Sequence, residues 1–301
     1  MKLTNTYKLP QTLLNLHELQ RDEYSRGEAR MSITQLMKPP RIDILQAKHF
    51  HEMEEDISGR LWAVLGTVIH HIMERGGDEE HLLEERLFVE LDDWIISGGI
   101  DVQRVGNRVK LYDYKFSSAI KWLLQDFEDW ETQLNCYAYL VHKCKGWDIE
   151  GLEVAFFVRD FKASLAKTNK DYPPAPCVPV PLKLWDIGTQ ENYLRARIRV
   201  HKDALRAVAW GDEPPHCTDK ERWKRDSDWA VMKGDNKRAT RVLKTEQEAK
   251  DWVRNTGGTG DPKIQYSIVE RHDTPTRCVD NYCGVSKWCS QYQKELADEN
   301  K

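Results

Sequence analysis

Three consecutive runs constrain this chain most: ERLFVEL, WIISGGIDVQRV and RVKLYDYKFS, between residues 85 and 117. All three are rich in β-branched and aromatic residues, and Gly106-Asn107 between the last two is a tight hairpin signal, so they predict antiparallel strands. KWLLQDFEDWETQLNCYAYLVHKC follows without a Gly or Pro and repeats apolar residues at steps of three and four, which predicts one long core-packed helix. GLEVAFFVRDF then reads as a further strand. Upstream, SGRLWAVLGTVIHHIMERGG places Leu61, Leu65, Val68 and Ile72 on one face at helical spacing, and Gly76-Gly77 ends it. Helix, three strands, helix, strand is the order of an α/β protein with a mixed central sheet flanked by helices.

Flanking segments divide the chain further. Residues 1–57 read as an N-terminal helical arm: a polar stretch, a short helix in SITQLMKPPRI stopped by Pro39-Pro40, and a helix over about 41–55. Residues 58–216 form the expected core, in which DYPPAPCVPVP is an edge or irregular segment and QENYLRARIRVHKDALRAVAW a strongly basic helix. Residues 217–301 carry a cysteine cluster around a small α+β insertion of ββαβ order.

Composition excludes little. At 301 residues, 40% hydrophobic and 31% charged, the chain is long enough to bury a core. No apolar run has the length of a membrane span and the start lacks a secretory cleavage site, which predicts a cytoplasmic protein without a membrane partner. A net charge of −4 rules out a global basic field but not a local phosphate-binding stripe. There is no G-x-x-x-x-G-K-S/T loop, so no nucleotide cofactor or motor is expected, and no G-x-S-x-G elbow for a serine hydrolase.

The chemistry-bearing residues lie on the predicted sheet and its neighbouring helices. Asp113 and Lys115 are two apart on a strand and share a face, and the hairpin brings Asp101 alongside. Two close carboxylates repel unless a hard divalent ion such as Mg²⁺ or Mn²⁺ takes oxygen ligands from both. Lys115 beside such an ion either gives up a proton to serve a water or keeps its charge for a developing phosphorane. His70 stands four residues after Gly66, where the small residue would permit close approach, and His71 is its rival. Gln133 and Tyr137, four apart on the next helix, share a face that would either contact a nucleic-acid backbone or pack on the sheet.

In this order, G-x-x-x-H, G-x-D, D-Y-K and Q-x-x-x-Y resemble the PD-(D/E)XK nuclease superfamily over residues 58–160, and more closely its RecB-type branch of RecB and AddB nuclease domains and stand-alone phage exonucleases. The resemblance implies a restriction-endonuclease-like core and a Mg²⁺- or Mn²⁺-dependent deoxyribonuclease, an exonuclease of phage or bacterial recombination, repair or processing. It implies His70, Asp101 and Asp113 as metal ligands, the Tyr114 carbonyl as a backbone ligand, Lys115 as the catalytic lysine, and Gln133 with Tyr137 near DNA. SITQLMKPPRI resembles the segment by which phage proteins of this type enter the core, there lying along the DNA. DNA is the expected partner, with a recombinase or single-strand-binding protein as a candidate companion, and a bacterial host cell as the setting if the protein is phage-encoded. The alternative is a non-catalytic DNA-binding or recombination-partner protein that keeps the nuclease fold.

Seven cysteines, three of them within RCVDNYCGVSKWC, suit a metal site in a reducing compartment better than a secreted disulfide framework. Cys278, Cys283 and Cys289 supply three thiols, and Cys217, just ahead of the insertion, is the natural fourth, with His216 as a substitute. The set resembles the iron-sulfur staple of the RecB-type branch, a [4Fe-4S] cluster. Four residues separate Cys278 from Cys283 where that pattern usually has two, which keeps Zn²⁺ as the alternative. Cys136, Cys144 and Cys177 are expected to be buried small hydrophobes.

Overall fold

The computed structural model describes residues 1–15, 27–257, 265–279 and 282–299. The chain divides into two compact units, residues 1–43 with 50–214, and residues 44–49 with 215–301. Both are mixed α/β. Among the described residues no helix is long and apolar enough to cross a membrane.

The first unit is built on a mixed six-stranded sheet. In chain order its elements are β1 (Lys2–Thr4), β2 (Met31–Ser32), α1 (Ile33–Leu36), α2 (Pro40–His49, shared with the second unit), β3 (Glu54–Asp56), α3 (Ile57–Met73), β4 (His81–Leu91), β5 (Trp94–Val105), β6 (Val109–Ser117), α4 (Ala119–Leu123), α5 (Glu128–Lys145), β7 (Ile149–Val158), α6 (Ala163–Thr168), β8 (Cys177–Leu182) and α7 (Ile187–Ala209). The strands run in the order β2-β5-β6-β7-β8, with β4 paired to β5. β4, β5 and β6 form an antiparallel meander; β7 lies parallel to β6 after the crossover through α5, and β8 closes the edge antiparallel to β7. Along α5, Leu134, Leu140 and Val141 are fully buried, and with Ile96, Leu111, Val154 and Phe156 of the sheet and Leu194 and Ile198 of α7 they form the core. Burying that many aliphatic and aromatic side chains, at about 1.5–3 kcal/mol each, is the main force holding the unit together.

Several expectations need correction. The helix expected from Lys121 onward is two: α4 ends at Leu123, Gln125 takes a left-handed backbone (φ 50°), and α5 restarts at Glu128. Its first turn carries Glu128, Asp129 and Glu131, which favour a helix N-terminus, so the charge pattern supports a new start that hydrophobic period alone does not show. The helix carrying Leu61, Leu65, Val68 and Ile72 on one face is present as α3, but that face is not the one it buries. All four are exposed, and α3 buries Ile57 and Val64 instead. Residues 1–57 are not a separate helical arm: β1 pairs in parallel with β3, β2 joins the main sheet beside β5, and the second helix ends at His49. Asp56 caps α3 through Ser58 N–H and accepts the Thr6 N–H at 2.7 Å, which ties the first residues to that helix. These donors hold the Asp56 carboxyl well below its ordinary range.

In the second unit β9 (Lys224–Arg225) pairs with β13 (Thr274–Pro275), so the chain leaves and re-enters at one place. Between them β10 (Asp228–Lys233), β11 (Arg241–Leu243), α8 (Glu246–Gly257) and β12 (Tyr266–Arg271) form a three-stranded antiparallel sheet of order β11-β10-β12 with α8 packed against it. Ala230, Val231 and Ala249 make its core. The sequence reading of a ββαβ insertion matches these elements.

Candidate metal centre

Register places the site. β4 and β5 are joined by a two-residue hairpin at Asp92 and Asp93, both with positive φ, as a right-handed twist between strands demands. From there the pairing Leu91↔Trp94 runs to Glu85↔Ile100 and resumes at Leu83↔Val102. Glu84, with a left-handed backbone (φ 49°), therefore sits opposite Asp101 where the ladder is interrupted. Like charges facing each other across a strand pair destabilise it unless a cation intervenes.

His70, in the last turn of α3, reaches both. Its Nδ1 lies 3.0 Å from Glu84 Oε1 and 3.5 Å from Asp101 Oδ1. Ligand atoms of His70, Glu84 and Asp101 all fall within 4.8 Å of one another, the one such group among the described residues. An imidazole with two carboxylates is a donor set that could hold a metal ion. The Glu84 hydrogen bond, against a smaller effect of burial, raises the His70 pKa, with the Asp101 charge adding to it. Burial, then the neighbouring Asp113 charge, pushes Asp101 up to about 7. His71 is exposed and 3.8 Å from Glu74, so of the two histidines His70 belongs to the site. The reason given for Gly66 does not hold: nothing lies within 4 Å of where its Cβ would be. It lines an open cavity of about 600 Å³ beside His70 and Glu84.

The remaining expected residues divide. Tyr114 N–H donates to Asp101 Oδ2 at 2.8 Å, fixing that carboxylate from the neighbouring strand. Asp113 is buried and faces Lys115, whose Nζ is 2.6 Å from Asp113 Oδ2. Burial alone would lower the Lys115 pKa, but the Asp113 carboxylate outweighs it and the net direction is upward. Asp113 is thus beside the His70–Glu84–Asp101 group rather than in it, and Glu84 takes the third place. No residue-type motif pointed to Glu84; counting register back from the Asp92-Asp93 turn would have.

Tyr137 is a core residue, contrary to its expected place on DNA. It is buried, and its hydroxyl accepts from Gln133 Nε2 at 2.7 Å. Burial, above all, raises its pKa strongly. A Cβ on Gly98 would stand 2.7 Å from Tyr137 Cε1 and 2.8 Å from Leu140 Cδ1, so Gly98 is the glycine that lets α5 approach the sheet. Gln133 is half-buried beside it. SITQLM is likewise fixed from inside: Ser32 and Gln35 form a capping box, and Arg197 and His201 of α7 bond the Leu36 carbonyl.

Of the four cysteines expected to form one site, Cys217 and Cys278 are half-buried. Gln291 bonds the Cys217 N–H and carbonyl at 2.9 and 3.0 Å, holding Cys217 at the helix Ser290–Glu299 that follows Cys289, and Cys283 N–H donates to Arg277 O at 2.8 Å. Cys283 and Cys289 are buried. Burial, with the nearby Cys283 and Cys289 charges, pushes the Cys278 thiol up to about 11, which the Arg222 guanidinium partly opposes. No three of these thiols lie within 4.8 Å of one another. Of the cysteines expected to be buried, Cys136 is, but Cys144 and Cys177 are exposed because α5 and the edge strand β8 turn them outward.

No family model matches the chain, and no curated protein matches it. Solved structures do match. The crystal structure of SSO0001 aligns over 64% of this chain and 87% of that one at 16% identity, with a TM-score of 0.46.

Proposed function

We propose that the chain is a Mg²⁺- or Mn²⁺-dependent deoxyribonuclease with a restriction-endonuclease-like core, acting as an exonuclease in phage or bacterial DNA recombination, repair or processing. The observation that carries this reading is the convergence of His70, Glu84 and Asp101 ligand atoms within 4.8 Å, next to the Asp113–Lys115 pair. His70, Glu84 and Asp101 would hold the ion, with Asp113, whose charge acts on both Asp101 and His70, beside them. Bound there, the ion supplies Lewis acidity to a phosphodiester and lowers the pKa of water.

The chain's own residues do the rest. The Tyr114 N–H keeps Asp101 aimed, and Glu84 holds the His70 ring through Nδ1. Lys115, kept protonated by Asp113, offers positive charge to the anionic transition state of phosphoryl transfer. In the second unit Cys217, Cys278, Cys283 and Cys289 would hold a [4Fe-4S] cluster as a staple. Zn²⁺ is the alternative for the same four thiols.

Incubating end-labelled linear and closed circular DNA with the protein in Mg²⁺, Mn²⁺ or EDTA tests the reading. Loss of the linear substrate alone, dependent on metal, is expected. An intact linear substrate in both metals would leave a DNA-binding protein at most.

A further inference from the structure

The hairpin of β10 and β11 in the second unit concentrates positive charge. Residues 233–244 hold five cations, Lys233, Lys237, Arg238, Arg241 and Lys244, and one acid, Asp235. β11 is an edge strand of the small sheet, and the turn before it carries Lys237 and Arg238. All five but the half-buried Lys233 are exposed. Among the described residues none of the five side chains has a hydrogen bond, an ion pair or a ring contact. The acids of α8, which packs on this sheet, are occupied at the helix itself: Glu246 pairs with Lys250 at 2.6 Å, Asp251 with Arg254 at 3.1 Å, and Glu248 accepts the N–H groups of Lys244 and Thr245 at 3.1 Å each.

We propose that this hairpin is a docking surface for the phosphate backbone of duplex DNA. Charge complementarity carries the proposal: like charges grouped on one ribbon repel each other, and a polyanion relieves that repulsion while releasing its own counterions. Residues 241–244 span about 10 Å of extended chain, a length over which a duplex carries about six phosphate charges. A two-stranded ribbon is also narrow enough to enter the major groove. The Asn236 and Thr240 side chains, likewise without a partner among the described residues, add neutral donors of the kind that bind phosphate oxygens. The make-up of the ribbon separates a duplex from other anionic partners. Residues 233–244 contain no Phe, Tyr, Trp or His, so there is no ring to stack an unpaired base. The turn 234–240 has no apolar side chain larger than Ala239, which leaves nothing to insert into a lipid headgroup layer or to form the apolar centre of a protein interface. Backbone phosphates require neither. The surface shares no residue with the metal centre, so the proposal goes beyond the nuclease reading and does not depend on it.

Fluorescence anisotropy of the full chain in EDTA, with a labelled blunt duplex as probe over a series of salt concentrations, tests the proposal without cleavage. A variant carrying Lys237→Gln, Arg238→Gln, Arg241→Gln and Lys244→Gln should bind the duplex about tenfold or more weakly, and its salt slope should be shallower by about 3 to 4, since each phosphate contact contributes about 0.9. Lys237→Arg keeps the charge and should keep the wild-type slope. Lys250→Gln with Arg254→Gln removes two cations that are already paired and should leave the slope in place. The four substituted side chains are exposed, so the melting temperature should not change. Wild type that fails to bind the duplex, or a quadruple variant with wild-type affinity and slope, overturns the proposal. A larger loss against a single strand of the same length, or against phosphatidylserine vesicles, than against the duplex also overturns it and assigns the hairpin to that partner instead. Cleavage by wild type in Mn²⁺ is scored separately: duplex binding as expected without cutting sinks the nuclease reading alone, whereas metal-dependent cutting with an indifferent quadruple variant sinks the hairpin alone.

Discussion

Glu84 stands across the β4–β5 pair from Asp101, and His70 Nδ1 lies within 3.5 Å of a carboxylate oxygen of each. A buried acid, Asp101, held face to face with a second acid, Glu84, is costly for the fold on its own. Replacing either by its amide should therefore weaken metal binding while leaving the apo protein as stable as before or more so. Calorimetric titration with Mn²⁺ against Glu84→Gln and Asp101→Asn measures the first effect, and thermal melting in EDTA the second. Unchanged Mn²⁺ affinity in both variants would remove them from the ligand set.

pH should act on the apo protein in a definite direction. Asp101 titrates at about 7 when folded, against its ordinary 3.8, so between those values the folded state binds more protons and stability falls as pH rises. His70, also raised, has the same sign: its contribution is present below 6.5 and is lost as pH climbs through its higher folded value. Carboxyls held low, such as Asp56, act only in more acidic solution. In EDTA the melting temperature should be higher near pH ~5.5 than near pH ~8, and Asp101→Asn should flatten that slope. Added Mn²⁺ should raise the melting temperature more at the higher pH. A larger Mn²⁺ effect at the lower pH would contradict the assignment.

Lys115→Ala should reduce cleavage by about a hundredfold or more, since it removes a charge directed at the transition state rather than at the core. Binding of DNA in EDTA should change little. Cleavage at the wild-type rate would show that the lysine serves only to pair Asp113.

Tyr137 belongs to the core, so Tyr137→Ala should cost about 3–5 kcal/mol, by analogy with other large aromatics. Tyr137→Phe loses only the Gln133 hydrogen bond, about 1 kcal/mol. Gly98→Ala should destabilise by about 1–3 kcal/mol through overpacking against the same ring. Chemical denaturation orders the three, and a Gly98→Ala variant as stable as wild type would mean that α5 shifts freely on the sheet.

For the thiols, protein purified without oxygen should show broad visible absorption and bind iron and sulfide. Cys283→Ser should abolish the colour and lower the melting temperature of the second unit, because metal binding there is folding free energy. Colourless protein carrying one zinc would favour the alternative metal, and protein with neither would leave the four as free thiols.

Much of this arrangement was legible before the structure, for identifiable reasons. Strands β4 to β7 announce themselves through β-branched content and the Gly106-Asn107 turn, and Asp101, Asp113 and Lys115 follow from alternation along them. Glu84 was hidden because its role depends on cross-strand register and an unusual backbone angle, neither of which is a property of residue type. Tyr137 was ambiguous because the same helical step serves a core face and an exposed one; only the close approach at Gly98 decides it. The apolar stripe of α3 shows a related limit, since periodicity reports that a face is apolar and not that anything covers it.

The strongly basic helix α7 has a bearing on how the molecule would meet a polyanion. Arg195 pairs with Asp92 and Glu191, Lys202 bonds the Asp92 carbonyl, Arg206 pairs with Asp203, and Arg197 bonds the carbonyls of Leu36 and Lys38. These cations are engaged within the protein, so they release few condensed counterions from a nucleic acid. Neutralising Arg197 should therefore lower the melting temperature and leave the salt slope of any association with DNA where it was. α7 acts as an internal buttress, and its row of positive charges is a poor guide to where a phosphate backbone would run.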